Sequence, residues 1–288
     1  MADTPSIVVV GSVNLDIVAT AARLPVAGET VTGATLSYFP GGKGANQALA
    51  ARRLGGRVSL VARVGDDANA EAALALLRAG GVDISACETC ASVATGVGLI
   101  AVGPDGENQI VVAPGANREL RPEMISLPPA DAMICQLEIP MDTLSHAVDT
   151  FDGFICLNLA PAMALPADLP GRADLVVVNE TEAGFYNDLL HELDCMVAKT
   201  LGAEGAELSR SGDRIAAARS PLVDVVDTTG AGDTFSAALT LAIVEGQELQ
   251  QALEFACAAG AAATMKAGAQ PSLPFRNEVE AIQGSNCG

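Results

Sequence analysis

Positive charge is scarce in this chain. Its 288 residues include 16 lysines and arginines against 35 aspartates and glutamates, which gives a formal net charge of −19. Because nucleic acids and anionic membranes attract basic surfaces, neither is expected to be a principal partner. The same charge makes an anionic substrate harder to hold. Any phosphate chemistry must therefore rely on backbone dipoles, on Lys43 and on a divalent metal.

The patterns of several other protein classes are also missing. The apolar run 7–10 is too short for a signal peptide or a membrane span, so a reducing cytoplasm is the expected location. The 7 cysteines lack the paired spacing of a zinc site, and we interpret Cys87 and Cys90 as ordinary thiols. His146 and His191 fall in predicted helices, and no serine–histidine pair indicates a hydrolase.

A glycine-rich stretch at 227–235 (DTTGAGDTF) is the strongest local signal. It follows an apolar run at 222–226, interpreted as a strand, and precedes an alanine-rich run typical of a helix. The first N–H groups of such a helix lack partners and, with the helix dipole, attract an anion. Asp233 lies inside this site, which predicts a general base beside a phosphate cradle. The alternative is an aspartate that caps the helix.

A second glycine-rich segment, 41–47 (GGKGANQ), opens a predicted helix that ends at the glycines 55–56. Glycines let a ligand approach the backbone, and Lys43 and Asn46 offer donors near the helix start. The segment is not a Walker P-loop, because the upstream glycine and the following serine or threonine are missing. Two such helix starts indicate two ligands.

The remaining pattern alternates strands with helices, which predicts a parallel sheet covered by helices. Open α/β sheets bind ligands at the carboxyl ends of their strands. The predicted strands are 7–10, 58–61, 131–135, 155–158, 175–178 and one from Val197 into a glycine turn; 63–67 is a predicted turn, and 69–79 and 248–266 are predicted helices. The polar and glycine residues after these strands are Asn14, Asp16, Glu138, Asn179, Glu182, Gly202 and Gly205.

Three of these strand ends point to particular ligands. Asn14 and Asp16 would project the same way from extended backbone and suit sugar hydroxyls, with an Asx turn as the alternative. No G-x-G-x-x-G follows this strand, which disfavours a dinucleotide-binding loop. Asn179 and Glu182 would share one side of a helix start and suit a hydrated Mg²⁺, or would simply cap the helix. The glycines after Val197 would admit an adenine ring close to the backbone.

Two further segments, 17–41 and 94–113, predict short strands and turns, with a hairpin turn at the Asp105–Gly106 pair. They could pair into one small sheet beside the main one. We expect such a sheet to act as a lid that closes over the ligand and forms a homodimer edge to edge, since exposed sheet edges seek partners.

Nearly from end to end, the chain resembles the ribokinase-like (PfkB) carbohydrate kinase family. The resemblance implies a three-layer α/β/α fold with a mostly parallel central sheet, formed by 1–16, 42–93 and 114–288, and a β-sheet lid of 17–41 and 94–113. The segments that carry it are 11–16, 25–29, 41–47, 136–140, 179–182, 200–202, 227–235 and 268–272.

The implied activity is ATP-dependent transfer of the γ-phosphoryl group to the 5-hydroxyl of D-ribose. Segments 44–47 and 268–272 favour ribose over adenosine or fructose as the acceptor. Asp233 would be the base, and the amides of Gly230, Ala231 and Gly232 would hold the developing charge.

The family's binding residues carry over as follows. D-Ribose would contact Asn14, Asp16, Gly42, Lys43, Asn46, Glu138 and Asp233. ATP would contact Asn179, Thr200, Gly202, Gly205 and Cys257. Magnesium would be held through water by Asn179 and Glu182, and K⁺ by Asp227 and Ser272 with carbonyls near Thr229, Ala263, Lys266 and Gly268.

The chain departs from the family pattern in its ATP-binding half. Residues 183–199 are shorter than expected, Leu159 replaces a usual proline, and Cys257 stands where a polar residue is common. Another pentose, a nucleoside or a hexose stays open as the acceptor. So does a ribose sensor with weakened catalysis, although the retention of Asp233, the glycine amides and the Asn179/Glu182 pair favours an enzyme.

Overall fold

The computed structural model describes residues 4–104 and 107–285. Its strands are β1 (Ser6–Val10), β2 (Asn14–Thr20), β3 (Thr35–Gly41), β4 (Arg57–Gly65), β5 (Cys87–Cys90), β6 (Gly96–Val102), β7 (Asn108–Ala113), β8 (Ala132–Gln136), β9 (Phe154–Asn158), β10 (Leu175–Val178), β11 (Met196–Thr200), β12 (Ala206–Arg210) and β13 (Asp213–Ala218). The α-helices are α1 (Lys43–Arg53), α2 (Ala68–Gly80), α3 (Met141–Thr150), α4 (Glu180–Tyr186), α5 (Asp188–Glu192), α6 (Ala231–Val244), α7 (Leu249–Ala263), α8 (Ala269–Ser272) and α9 (Arg276–Ser285).

The larger sheet has nine strands within the described residues, in the order β13-β12-β11-β10-β9-β8-β1-β4-β5. Its central strands pair in parallel, and β12 and β13 add an antiparallel edge. Residues on opposite faces of β1 pack into different clusters: Ile7 and Val9 with α1, α2, α6 and α7, and Val8 and Val10 with α3. Burial on both faces explains the unbroken apolar runs of these strands. The three-layer α/β/α prediction is confirmed.

In the part of the chain that the structure describes, the smaller sheet has four strands, in the order β3-β2-β6-β7. The two predicted β segments therefore do pair into one sheet, as expected. Asn14 and Asp16, assigned to the core from the sequence, lie on β2 of this sheet. The predicted turn at the Asp105–Gly106 pair lies outside the described residues. Because only residues 11–13 separate β1 from β2, the smaller sheet begins beside the carboxyl end of a central strand.

Two predictions of local structure are wrong. Residues 222–226 form no strand but an extended loop, in which Leu222 is 95% exposed, and only the N–H of Val226 pairs with the Thr264 carbonyl. The predicted turn at 63–67 is half strand, since β4 continues to Gly65 and Asp67 caps α2. At 222–226, β-prone composition does not decide whether a neighbouring strand is present to pair with. At 63–67, pairing with β5 extends the strand into residues of turn-like composition.

Other predictions hold. The helices predicted at 69–79 and 248–266 correspond to α2 and α7. His146 and His191 lie in α3 and α5, and Cys87 and Cys90 are free thiols. The shortened segment 183–199 contains the end of α4 and the five residues of α5. In the described part of the chain, no helix has the length and apolar character needed to cross a membrane.

Candidate active site

The carboxylate of Asp233 lies where the two glycine-rich helix starts meet. Its Oδ2 accepts a hydrogen bond from Nδ2 of Asn46 at 2.8 Å, and its Oδ1 accepts one from Nε2 of Gln47 at 3.0 Å. Both donors belong to the first turns of α1. Asp233 is 7% exposed and is the third residue of α6, whose N-cap is Gly230. The aspartate therefore does not cap the helix but points away from it toward α1.

Charged side chains of both signs surround this carboxylate. Burial, together with the charges of Glu138 and Asp233, raises the pKa of Asp16 to about 6. Burial acts to lower the pKa of Lys43, but the charges of Asp233, Glu138 and Glu182 outweigh it and raise that pKa. The Lys43 ammonium therefore stays charged among carboxylates. It offers a fixed positive charge to a developing anion.

Glu138 is held in place by the segment after β1 and by the start of α1. Its Oε2 accepts a hydrogen bond from the hydroxyl of Ser12 and a longer one from the backbone N–H of Lys43 at 3.3 Å. The N–H of Ala45 donates to the Ser12 carbonyl at 2.9 Å, which ties the start of α1 to the segment after β1. Glu138 thus reaches from the end of β8 to the helix start that carries Asn46.

Asn14 and Asp16 lie on one face of β2, as extended backbone requires. The Asx-turn alternative is wrong. The residues directly opposite them on β6 are Gly96 and Gly98. A Cβ at Gly96 would lie 2.1 Å from the Asn14 Oδ1, and one at Gly98 would lie 2.4 Å from the Asp16 Oδ1. Glycine at these two positions therefore makes room for the polar side chains.

Two further contacts fix the backbone around Asn14. Nδ2 of Asn117 donates to Oδ1 of Asn14 at 2.8 Å, and Oδ1 of Asn117 accepts from the N–H of Val13 at 2.9 Å. Gly42 has a φ of +89°, and a Cβ there would lie 2.7 Å from the backbone nitrogen of Asn14. Gly42 is thus required both for its conformation and for this close approach.

Asn179 and Glu182 form a capping box at the start of α4. Oδ1 of Asn179 accepts from the N–H of Glu182 at 2.9 Å, and Oε2 of Glu182 accepts from the N–H of Asn179 at 2.8 Å. The capping alternative is therefore confirmed. Burial raises the pKa of Glu182 against the opposing effects of the Asn179 N–H and Lys43, and the charge of Asp233 adds to the rise. The Glu182 carboxylate thus lies within electrostatic reach of Lys43 and Asp233.

On the other side of the α6 start lies a cavity of about 290 Å³. None of the described residues that line it carries a charged or an amide side chain. Space is open in front of the helix, since a Cβ at Gly232 would meet no atom within 4 Å. The predicted nucleotide residues Thr200, Gly202, Gly205 and Cys257 line the cavity together with Ala231 and Gly232, whereas Asn179 is not among its lining residues.

The predicted cation residues come from two loops that Asp227 holds together. Oδ1 of Asp227 accepts from the N–H and the hydroxyl of Thr229 at 2.9 and 2.6 Å, and Oδ2 accepts from the N–H of Gly268 at 2.8 Å. Burial acts to raise the pKa of Asp227, but these hydrogen bonds hold it below its usual range. The buried hydroxyl of Ser272 donates to the Ala269 carbonyl at 2.8 Å.

The last two predicted cation residues flank the end of α7. Ala263 is the final residue of that helix, and the next carbonyl, of Thr264, accepts from the N–H of Asp227 at 3.1 Å. The side chain of Lys266 points elsewhere and pairs with Glu278 at 3.1 Å, so only its carbonyl could face a cation.

Several polar residues of the site were not predicted individually. Gln47, Gln136 and Asn158 form a buried hydrogen-bonded group behind Asp233, and Asn117 and Ser12 position Asn14 and Glu138. A signal existed for two of them: Gln136 and Asn158 each end a buried strand, the same position that singled out the other site residues. Gln47 and Asn117 lie inside helical segments and gave no such signal.

Comparisons with known proteins agree with this geometry. Residues 4–276 match the pfkB family of carbohydrate kinases. A ribokinase from Bacillus subtilis is 37% identical, with 96% of this chain and 99% of the relative covered. The crystal structure of a ribokinase from Thermotoga maritima superposes with a TM-score of 0.89 at 32% identity, covering 97% of this chain and 99% of the other. An Arabidopsis thaliana ribokinase complexed with ribose and ATP gives 0.86 at 30% identity, over 97% and 99% of the chains.

The similarity spans both the α/β part that contains the candidate base on α6 and the smaller sheet. The family match covers 273 of the 288 residues. The family predicted from the glycine-rich segments is therefore confirmed, and this chain is a member of the pfkB family of carbohydrate kinases.

Proposed function

We propose that this protein transfers the γ-phosphoryl group of ATP to the 5-hydroxyl of D-ribose. One observation carries the proposal: the start of α6 has the buried, polar group of Asp233 on one side and the apolar cavity on the other. A base placed at such a junction meets an acceptor hydroxyl from one side and a phosphoryl donor from the other. The ribokinases similar to this chain, one of them complexed with ribose and ATP, support the choice of substrates.

In the proposed reaction Asp233 takes the proton of the sugar hydroxyl. The hydroxyl oxygen forms a bond to the γ-phosphorus while the bond from that phosphorus to the β–γ bridging oxygen breaks, which releases ADP. Negative charge spreads over the transferred group, and the amides of Gly230, Ala231 and Gly232 face that charge at the positive end of α6. Lys43 adds a second positive group from α1.

The sugar would lie between β2 and the start of α1. Asp16 and Glu138 offer acceptors to its hydroxyls, and Asn14 and Lys43 offer donors. The Oδ1 of Asn46 is buried and has no hydrogen-bond partner, and a buried acceptor in this condition fits a sugar hydroxyl. Gly42 would let the sugar approach the backbone at the same point.

The nucleotide would occupy the cavity lined by Thr200, Gly202, Gly205 and Cys257. The donor set fits a hydrated Mg²⁺ near Glu182: one Glu182 oxygen is used by the cap, and the other can accept from metal-bound water, while Asn179 orients that carboxylate. When bound, the metal would supply positive charge to the phosphates. No set of three or more acidic, histidine or cysteine side chains able to hold a metal occurs in the described ranges, so waters and phosphates would complete the coordination.

A monovalent cation would lie between the two loops that Asp227 joins. Carbonyl oxygens near Thr229, Ala263, Lys266 and Gly268, with Asp227 and Ser272, fit a large cation such as K⁺. Gly230 packs against Ala269, with a Cβ position 3.3 Å from the Ala269 Cα. A cation there would therefore be coupled to the amides at the start of α6. The cytoplasmic location stays a prediction.

The smaller sheet has the surface expected of a homodimer. Tyr38, Ile17, Leu99 and Val111 are cross-strand neighbours in one row, on the face opposite to Asp16. Tyr38 is 57% exposed, Leu99 49% and Val111 65%, and the edge strand β7 is exposed along its whole length. Apolar rows of this size mark interfaces. We expect a dimer in sedimentation velocity at micromolar concentration and a monomer for Leu99→Glu; a wild-type monomer would contradict this part.

The test of the proposed function separates turnover from binding. ATP-dependent ADP release is measured with D-ribose, 2-deoxyribose, fructose and adenosine, with and without K⁺. We expect turnover of D-ribose, stimulation by K⁺, and a loss of about 10²- to 10⁴-fold in kcat for Asp233→Asn with ribose binding retained in calorimetry. Ribose that binds without turnover in the wild type would favour a sensor, and turnover of another sugar alone would change the substrate.

A further inference from the structure

Behind Asp233 lies a buried chain of amide side chains that crosses from α1 to two strands of the central sheet. Nε2 of Gln47 donates to Oδ1 of Asp233 at 3.0 Å and to Oδ1 of Asn158 at 3.1 Å. Nε2 of Gln136 donates to Oε1 of Gln47 at 2.6 Å. Gln47 and Gln136 are fully buried, and Asn158 is 7% exposed. Every polar atom of the Gln47 side chain is thus engaged.

The orientation of each amide follows from chemistry. An ionised carboxylate can only accept hydrogen bonds, so the nitrogen of Gln47 must face Asp233. Its oxygen must then face the nitrogen of Gln136. The carbonyl of Val177 accepts from Nδ2 of Asn158 at 3.2 Å, which turns the Asn158 oxygen toward Gln47. The orientations of Gln47 and Asn158 are therefore set by their partners, and Gln136 gives its nitrogen to Gln47 while its Oε1 has no hydrogen-bond partner.

Glycine makes the arrangement possible on the sheet side. Gln136 lies beside Gly11, where a Cβ would fall 2.0 Å from the Gln136 Oε1. The same Cβ would lie 2.8 Å from the Cα of Gly44, so the start of α1 also depends on this close approach. The strands β1, β8 and β9 thereby set the place of Gln47 before any ligand binds.

We propose that Gln47 is a positioning residue for the base: its amide holds Oδ1 of Asp233, and Gln136 and Asn158 hold the amide. The other oxygen of Asp233, Oδ2, accepts from Nδ2 of Asn46, and the Oδ1 of Asn46 has no hydrogen-bond partner and can accept from the sugar. A carboxylate fixed at both oxygens presents its remaining lone pairs in one direction, as proton transfer from a positioned hydroxyl requires. The proposal rests on the proposed kinase function.

Two substitutions at Gln47 distinguish positioning from packing. Gln47→Met keeps the volume and removes the hydrogen bond, and we expect kcat to fall about 10- to 100-fold with KM for ribose and ATP changed less than about threefold. Gln47→Glu keeps the shape but places a second carboxyl about 3 Å from Asp233, so that the pair shares one proton. We expect it to be the more damaged variant at pH 7, and to recover as the pH rises and the shared proton is lost.

The charged groups around the base are the same in every variant. They are Asp16 on β2, Lys43 on α1, Glu138 after β8 and Glu182 on α4. A pH dependence that appears only in Gln47→Glu therefore belongs to the new pair. A packing role predicts the opposite order of damage, with the isosteric glutamate milder than methionine and no change in the pH profile.

If Gln47→Glu does not fold, Gln136→Met tests the same positioning role, because Gln136 donates to the Gln47 amide. We expect a smaller loss of kcat, about 3- to 10-fold, and a double variant with Gln47→Met no worse than Gln47→Met alone, because both act through one amide. The matched control is Thr240→Val on α6, which removes a buried hydroxyl bonded to the Ser236 carbonyl at 2.8 Å and should keep kcat within about twofold.

The outcomes separate this proposal from the proposed function. A wild type that phosphorylates no sugar contradicts the function itself. A wild type that turns over, with Gln47→Met unchanged in kcat or Gln47→Glu milder than Gln47→Met, contradicts the positioning role alone.

Discussion

The two sides of the start of α6 differ in the chemistry of their side chains. On the proposed sugar side, Asp16, Lys43, Glu138 and Asp233 bring charges of both signs together. Glu138 accepts from a backbone N–H, and Asp233 accepts from two side-chain amides. The cavity on the other side has no charged or amide side chain among the described residues that line it. Directional contacts can discriminate one hydroxyl pattern from another, whereas an apolar cavity selects by shape. Selectivity should therefore be unequal for the two substrates.

Two pairs of glycines, one on each side, serve different purposes. Gly41 and Gly98 are required by one carboxylate, because a Cβ at either would lie 2.3 or 2.4 Å from an oxygen of Asp16. Gly202 and Gly232, which line the cavity, have no atom within 4 Å of a Cβ position. The first pair makes room for protein side chains and the second keeps space for a ligand. Glycine-rich composition alone does not tell these two uses apart.

The largest difference between the effects on ribose and on ATP is expected for Gly98→Ala. The new methyl group would displace the Asp16 carboxylate, and loss of a charged hydrogen bond should weaken ribose binding about 100-fold while KM for ATP stays unchanged. Calorimetry with ribose and steady-state kinetics with ATP measure the two effects. Gly171→Ala, where a Cβ meets no atom within 4 Å, is the control and should behave as the wild type. An equal loss for both substrates would contradict the separation of the two sides.

Stability should respond to pH on the sugar side. The pKa of Asp16 is about 6 in the fold against an ordinary 3.8, so between these values the folded protein binds more protons than the unfolded chain. The free energy of unfolding must therefore fall as the pH rises through this window, and ionised Asp16 costs about 1 to 3 kcal/mol above it. Asp16→Asn should remove that cost, and so be more stable than the wild type at pH 7.5 but not at pH 3.5.

Urea titrations at the two pH values measure this difference. Ribose binding by Asp16→Asn should be weakened in the same samples, since its acceptor is lost. A variant less stable than the wild type at pH 7.5 would show that the Asp16 carboxylate stabilises the fold.

A smaller effect is expected when ATP is replaced by a nucleotide with another purine base. The polar side chains that line the cavity are the hydroxyls of Thr200, Ser220, Thr228 and Thr264, and those of Thr200 and Thr264 donate to backbone carbonyls. Because a hydroxyl can donate or accept, these side chains distinguish poorly between the edges of two purines. We expect kcat/KM for GTP within about tenfold of that for ATP, and a larger ratio between ribose and fructose. Discrimination against GTP by more than about 1,000-fold would show that backbone groups read the base.

The smallest effect is expected at Cys257. Burial raises the pKa of this thiol to about 12, so it stays protonated and unreactive, and its sulfur lies 3.9 Å from the Ala218 carbonyl. Cys257→Ser should change KM for ATP less than about threefold, and iodoacetamide at pH 7.5 should leave kinase activity unchanged. Rapid inactivation by the reagent that ATP prevents would contradict this view of the cavity.

Much of the fold could be predicted because its strands and helices have strong local patterns. The apolar runs of β1 and β10 identify strands buried on both faces, and α7 has an alanine-rich helical pattern. Residues 222–226 have a similar apolar pattern but form a loop. Leu222, Val223 and Val225, which line the cavity, have the composition of a strand, and only the tertiary fold shows that no strand of the described residues pairs with them.

The site was predictable where function depends on position along a strand or at a helix start. Asp233 and Asn46 belong to glycine-rich helix starts, which local pattern identifies. Their meeting depends on the tertiary fold, because α1 follows β3 of the smaller sheet and α6 follows the loop after the edge strand β13. Gln47 could not be assigned a role in this way. Its partner lies 186 residues away, and a buried glutamine in an alanine-rich helix has no local sign of what it contacts.

Phosphoryl transfer to the 5-hydroxyl of ribose is tested most directly by incubating the wild-type protein with ATP, Mg²⁺, K⁺ and D-ribose and following the product by phosphorus and carbon NMR. We expect ADP and a phosphate ester on carbon 5 of ribose, formed with catalytic turnover. Ribose that binds but is never phosphorylated, or a phosphate carried on carbon 1, would contradict it.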